Sequence, residues 1–396
     1  MNLLDQCKKY GKLILKWVLF GILIGFLGGL LGTAFHISVD FVTEQREHNH
    51  WMIYLLPIGG LLIAAMYGRF RNFGNIDTKR VFQAVKEKKD VPLVMIPLIF
   101  FGTVITHALG GSAGREGAAL QLGGSMGYNV GQALKQEDDS KKLMVAAGMS
   151  SVFSALFGTP LTATVFSLEA TRVGMFNFRG LLPGLISSVT AFLVSRFCGV
   201  EPVRFLMPFV SGNLMFSILK VIVLGILCAG VSMVFAWSLH KSEHLAKKTA
   251  PNAYVRAFAG GVLLVGLTYL AKTHDYNGAG MGVIANAIAG EANFEAFLMK
   301  ILFTAVTVAA GFKGGEIVPT FFIGATFGCM ASGLLGLDPG FGACLGFIAL
   351  FSGMTKCPFA SVLLGLEVFG VKGILFFAII VPVTYLFSGR LGLYNE

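Results

Sequence analysis

Apolar residues in this chain run in long charge-free blocks separated by short charged loops. Trp17 to Val39 is 23 residues without Asp, Glu, Lys or Arg, Trp51 to Gly68 is 18, Val91 to Gly114 is 24 and Val221 to His240 is 20. A helix that spans a bilayer needs roughly 20 such residues, so each block predicts a membrane-spanning helix. Other blocks are shorter, 15 residues from Ala257 to Ala271 and 12 from Ile301 to Phe312. Short or glycine-broken segments of this kind predict half-helices that stop inside the membrane. Lys8, Lys9, Lys12 and Lys16 precede the first block like the basic flank of a signal peptide. The block is too long for one and no small-residue cleavage site follows, so it predicts a retained span.

Composition agrees with the pattern: 55% hydrophobic residues, 13% charged and a mean hydropathy of +0.74 predict an all-α polytopic membrane protein. The net charge of +10 does not point to nucleic acid, because Lys and Arg gather in particular loops, where they orient the chain in its membrane. Six cysteines show no CxxC spacing and read as packing residues. His36 and His107 stand alone, without a second ligand at helical spacing, so no metal is expected. Nothing matches a nucleophile with its base, a phosphate loop or a redox motif, and no cofactor is expected.

Loop charges set an orientation. The basic N-terminus starts in the cytoplasm, the loop of Asp40, Glu44, Arg46 and Glu47 is net −2 and reads as outside, and residues 69–90 are net +4 and return inside. After the span 214–240 the signs reverse: the loop of Lys241, Glu243, Lys247, Lys248 and Arg256 is net +3, and Lys272, Asp275 and Glu291 are net −1. The second half is therefore expected upside down relative to the first, as two inverted-topology repeats of about 13–200 and 213–396. Landmarks recur at that interval: Glu116 and Glu316 are 200 positions apart, and "TPLTATVFSLEA" and "CPFASVLLGLEV" place Pro160 and Glu169, Pro358 and Glu367, 198 apart. A period this long indicates a duplicated half rather than a solenoid.

Two stretches carry candidate chemistry, "GSAGREGAALQLGGSMG" at 111–127 and "GFKGGEIVPTFFIGATFG" at 311–328. Each places glycines ahead of an apolar helical run, so both read as helix N-termini whose unpaired N–H groups favour an anion without a formal cation. A carboxylate at that point competes with the anion for the same donors, which makes Glu116 a candidate gate. Protonated, it no longer resembles an anion and couples proton uptake to anion entry. An intramembrane charge costs roughly 2.5 to 3.5 kcal/mol even on a lenient scale, which argues for function over decoration. The plainer readings are helix capping or pairing with Arg115 for Glu116, and capping or pairing with Lys313 for Glu316. Arg115 itself reads as structural, and Glu169 and Glu367 as caps or partners of loop bases.

At these residues the chain resembles the CLC family of anion channels and anion/proton antiporters. "GREGAALQLGGSMG" is similar to the family's GREGP gating motif, "GGEIVP" to its GGxFxP motif, and "TYLFSG" to the segment with its ion-coordinating tyrosine. The resemblance implies broken, re-entrant helices, a homodimer in the plasma membrane with one pore per subunit, a gate at Glu116, and anion contacts from the Ile317 and Val318 amides and the Tyr385 hydroxyl. Only 11 residues follow Tyr385, so no cytoplasmic regulatory domain is expected.

Departures from the family pattern select a branch. Ala118 replaces the proline after the gating glutamate, and Ala170 stands where the internal proton glutamate of chloride exchangers would follow Glu169. The fluoride-exporting branch carries its proton acceptor in the second motif instead, which implies Glu316. That branch also loses the chloride-coordinating serine of the loop aligned with "NFGN", where Phe73, Gly74 and Asn75 stand. Fluoride is small and strongly hydrated, so selecting it calls for a tight site of N–H and aromatic-edge donors. Phe73 offers a ring edge or is a plain packing contact; Asn75 offers an amide or shapes the turn with Gly74. The expectation is a fluoride/proton antiporter. The alternatives are a chloride/proton exchanger or passive anion channel on the same scaffold and, from another class, a membrane enzyme using the two carboxylates.

Overall fold

The computed structural model describes residues 3–70, 78–87, 90–171, 178–208 and 213–394. Among them the chain forms α1 (Leu3–His48), α2 (Leu56–Arg69), α3 (Thr78–Glu87), α4 (Met95–Leu109), α5 (Glu116–Ala133), α6 (Asp138–Phe157), α7 (Pro160–Thr171) and α8 (Leu181–Phe197). A second set of eight follows: α9 (Leu214–Thr249), α10 (Ala253–Ala271), α11 (Met281–Ile288), α12 (Ala296–Ala310), α13 (Ile317–Leu335), α14 (Pro339–Thr355), α15 (Pro358–Phe369) and α16 (Ile374–Phe387). No strand is present among the described residues, only one two-residue bridge. Six helical stretches are long and apolar enough to cross a membrane, and several shorter apolar helices, α4, α12, α14 and α15 among them, are not.

The two sets match in length as well as in order. α4 and α12 are both 15 residues and α7 and α15 both 12. α4, α6, α12 and α14 start at Met95, Asp138, Ala296 and Pro339, so the offset through this region is 201. α14 is three residues shorter than α6, which resets the offset to 198 for α7 and α15. Glu169 and Glu367 occupy the same place, two residues before the end of α7 and α15.

Two expectations from charge-free runs need correction. Val91–Gly114 does not form one span: its helix is only Met95–Leu109, and the glycine-rich residues that follow are not helical. Ala257–Ala271 is not a half-helix, because Asn252 caps a helix starting at Ala253 by accepting the Tyr254 N–H (2.9 Å), and Arg256 lies in its first turn. A run ends at a charge; a helix need not. Cys228, Cys329, Cys344 and Cys357 are buried as expected of packing residues, whereas Cys198, just past α8, is exposed.

The chain divides into two compact units, residues 1–37, 75–96 and 119–203, and residues 38–74, 97–118 and 204–396. In the first unit, α6 is buried along Met144–Phe157 and meets its neighbours through small residues and hydroxyls. Ser150 shares a hydrogen bond with Ser167 (2.6 Å), Ser187 donates to the Ala147 carbonyl (2.8 Å) and Ser154 to that of Ser188 (2.8 Å). Association within lipid gains little from the hydrophobic effect, so close backbone approach and interhelical hydrogen bonds supply it. In the second unit, α13 and α14 cross through facing glycines, Gly324 with Gly346 and Gly328 with Gly342, and stack Phe321 on Phe347 at 4.0 Å.

A methyl group added at Gly324 would sit 2.8 Å from the Gly346 carbonyl carbon and 2.9 Å from Leu350 Cβ, whereas one at Gly333 on the same helix meets nothing within 4 Å. Gly324→Ala is therefore expected to destabilise the protein by about 1–3 kcal/mol through overpacking, and Gly333→Ala to be neutral or mildly stabilising. Thermal loss of helical circular dichroism in detergent checks this; equal midpoints for the two variants would contradict the close crossing.

Candidate functional site

The breaks between α4 and α5 and between α12 and α13, residues 110–115 and 311–316, lie in one unit and pair with each other. Gly114 and Gly315 exchange both backbone hydrogen bonds, each 2.7 Å. A side chain at Gly114 would strike Val318 Cβ and the Glu116 carboxylate, both at 2.8 Å, and one at Gly117 would lie 2.8 Å from Gly315 Cα. Gly117 and Gly315 are thus required by contact between two backbones, and Gly114 by the side chains packed against it.

Two threonines complete the pairing reciprocally. Thr307 of α12 accepts the Ser112 N–H (3.0 Å) and Thr106 of α4 accepts the Lys313 N–H (3.1 Å). Ser112 Oγ and Thr304 Oγ1 add a further contact at 3.0 Å. Thr106 and Thr307, Ser112 and Lys313, Gly114 and Gly315 are all 201 positions apart, the offset of the helices that bear them. The register corrects one landmark: Glu116 corresponds to Ile317 and Glu316 to Arg115, so the two glutamates, 200 apart, are one step out of equivalence.

Glu116 opens α5 and is 2% exposed. Its carboxylate folds back onto the helix start, accepting the Arg115 N–H at 3.0 Å and lying at its own N–H. It occupies the donors that a helix N-terminus would offer an anion. The Arg115 guanidinium lies 3.9 Å from it and is hydrogen-bonded to Asp40 of α1. Arg115 thus ties the motif to α1, in keeping with its structural reading. Glu316 stands at the N-cap of α13 but accepts no capping hydrogen bond from the helix beyond it. Its carboxylate lies in electrostatic reach of Lys313 and Glu243, and the Lys313 ammonium sits 4.2 Å over the Tyr67 ring. Ile317 and Val318 are buried as the first two residues of α13, where backbone N–H groups lack intrahelical acceptors.

Tyr394, passed over in the sequence, joins these residues. It lies within electrostatic reach of Glu316, Cys357 and Glu116. The segment bearing it is fixed by the Leu393 N–H on the Met354 carbonyl (2.8 Å) and by His240 Nε2 on the Gly392 carbonyl (3.2 Å). Tyr385 lies in α16, half-buried, and its hydroxyl makes no hydrogen bond among the described residues. The available signal was a glycine-broken stretch after the last span, "SGRLGLYN", ending in an aromatic hydroxyl. Phe73, Gly74 and Asn75 lie outside the described residues. His107 is buried in α4, with its Nδ1 donating to the Thr103 carbonyl (2.9 Å). Among the described residues no group of three His, Cys, Asp or Glu is placed to hold a metal.

The profile of the voltage gated chloride channel family matches residues 59–389, most of the chain and both glutamate motifs. The chain belongs to the CLC family. A "Chloride/fluoride channel protein" of Pseudomonas syringae pv. tomato is 31% identical over 389 residues, covering 96% of this chain and 86% of its own. A structure described as a CLC-type fluoride/proton antiporter is 32% identical, covers 96% of both chains and superposes with a TM-score of 0.91. A slow cyanobacterial Cl⁻/H⁺ antiporter, 20% identical with a TM-score of 0.83 over 96% of this chain and 95% of its own, shares the fold. With its apolar helices and CLC membership, this chain is an integral multi-pass membrane protein.

The reciprocal threonines give a direct test. Thr106→Val strands the part-buried Lys313 N–H and Thr307→Val the buried Ser112 N–H, so each is expected to cost about 1–3 kcal/mol. Thr326→Val, which removes only a hydroxyl bonded within its own helix, should cost less. Thermal midpoints of the purified variants check this, and the reciprocal pairing predicts similar losses for the first two.

Proposed function

We propose that this CLC protein is a fluoride/proton antiporter that exports F⁻ from the cytoplasm as H⁺ enters. The observation that carries the reading is the Glu116 carboxylate seated on the backbone donors at the start of α5, where an arriving anion would have to displace it. Protonation removes its charge and its claim on those donors, so the gate opens with a proton aboard. Glu316, at the start of α13 in the same glycine junction, is the internal proton acceptor. Ala170, buried in α7, has no proton to offer at the place where chloride exchangers carry theirs. The Ile317 and Val318 amides supply anion donors. The hydroxyl is assigned to Tyr394 in preference to Tyr385, because Tyr394 reaches both glutamates electrostatically. Phe73 and Asn75, with Gly74 between them, remain the proposed aromatic-edge and amide donors.

The substrate assignment is supported by the 32% identity to a fluoride/proton antiporter across 96% of both chains. Chloride/proton exchange or passive anion flow is the second reading; one observation favours its passive form, since the same Ala170 removes the proton route used on the chloride side of the family. The proposed assembly is a homodimer with one pore per subunit and a cytoplasmic N-terminus.

In proteoliposomes, an outward F⁻ gradient is expected to drive H⁺ inward, followed with a fluoride electrode and external pH. Glu116→Gln should abolish proton movement and Glu316→Gln slow or stop it. Tyr394→Phe should reduce F⁻ flux roughly tenfold or more, the loss of a hydrogen bond to a charged partner, while Tyr385→Phe leaves it unchanged. Faster Cl⁻ than F⁻ flux, or F⁻ flux without H⁺, would replace the antiport reading with the second one.

A further inference from the structure

The last turns of α9 run alongside the glutamate junction without belonging to either motif. Two contacts place them: His240 Nε2 on the Gly392 carbonyl, two residues before Tyr394, and Ser242 Oγ donating to the Ala305 carbonyl of α12 at 3.2 Å. These contacts lock the rotation of α9 at the position where Glu243 follows. The Glu243 side chain is 44% exposed and ion-paired to Lys247 one turn later at 2.5 Å, so it is wet at one end of its reach. At the other it acts electrostatically on Glu316, the deeper carboxylate. The bases on the same turns, Lys241, His244, Lys247 and Lys248, belong to the net-positive loop that orients this end toward the cytoplasm.

We propose that Glu243 is the inner relay carboxylate, passing protons between the solution at the basic end of α9 and Glu316. The proposal rests on the antiport reading and adds a residue to it. Each transfer moves one proton and no electrons: protonated Glu316 becomes carboxylate, Glu243 becomes the acid, directly or along intervening solvent, and Glu243 then releases the proton to bulk. Reversal of the steps serves the opposite direction of transport. A proton acceptor below the surface gains from such a partner because a fixed carboxylate shortens the search for a proton otherwise present at very low free concentration.

The test uses full-length protein in proteoliposomes, with F⁻ and H⁺ flux measured together. Glu243→Gln is expected to lower coupled flux roughly tenfold, less than the 10²- to 10⁴-fold contribution of a positioned proton-transfer group, because water offers a bypass. Glu243→Asp should retain most of the flux, and Lys247→Gln should stay within about twofold of the parent. Imidazole trapped inside the vesicles, a small proton carrier, should restore Glu243→Gln, whereas a bulky buffer of the same pKa should not. Parent-like flux in Glu243→Gln would overturn the relay, and so would a defect that imidazole leaves untouched. A parent protein that moves F⁻ with no H⁺ would instead refute the antiport reading itself, so the two failures are separable.

Discussion

The reciprocal backbone pair between Gly114 and Gly315 is the constraint on which the rest of the junction depends. A bilayer interior offers no water to unpaired peptide groups, so a helix can break there only if the broken backbone is satisfied by protein. Residues 110–115 and 311–316 satisfy each other, through two glycine hydrogen bonds and one threonine hydroxyl lent in each direction. The N–H groups not consumed are those at the starts of α5 and α13. They are concentrated where two chain segments cannot separate, and any side chain at Gly114, Gly117 or Gly315 would push those segments apart. An anion path made of backbone donors therefore needs no dedicated cation, and a carboxylate on the same backbone can block it.

The one-residue step between the glutamates then separates their positions. Glu116 lies inside α5, whereas Glu316 lies just before α13. A residue on a helix turns about 100° from its neighbour, so carboxylates one position out of register point differently even on matched scaffolds. Glu116 folds back onto the N–H groups, where it competes with an anion. Glu316 leaves its helix start uncapped and faces the field of Glu243 and Lys313. Strictly equivalent residues would have sat alike at the two helix starts; the displacement puts the two carboxylates in different places on matched backbones.

Much of this was legible in the sequence, and the reason is periodicity in composition. The charge-free blocks revealed a polytopic helical chain, the glycines ahead of Glu116 and Glu316 revealed the breaks, and "PLTATVFSLEA" against "PFASVLLGLEV" revealed the duplication. Register was less legible, because an eye drawn to acids aligns Glu116 with Glu316, while the backbone aligns Thr106 with Thr307. Those threonines stand four residues before Gly110 and Gly311 in both halves, a repeat visible in the letters but without chemical emphasis. Helix ends were misjudged wherever a charge fell inside a helix, as with Arg256 in α10. Tyr394 was less legible because its proximity to the glutamates is created by folding, and the glycines of "SGRLGLY" are its one local trace.

The buried bases complete the electrostatic logic. Lys300 is fully buried in α12, yet its ammonium donates to the carbonyls of Gly278 (2.7 Å) and Tyr276 (3.2 Å) and lies 4.8 Å from the Phe322 ring. Lys356, also buried, donates to the hydroxyl (2.7 Å) and carbonyl (3.0 Å) of Ser388, and Arg46 to the carbonyl of His107 (3.0 Å). The two lysines bond to dipoles, whereas Arg46 also meets an acid at the surface, Glu47 at 3.5 Å. Carbonyls and hydroxyls satisfy a buried base's donors without an acidic partner, so Lys300 and Lys356 are held in place by hydrogen bonding to dipoles rather than by ion pairs.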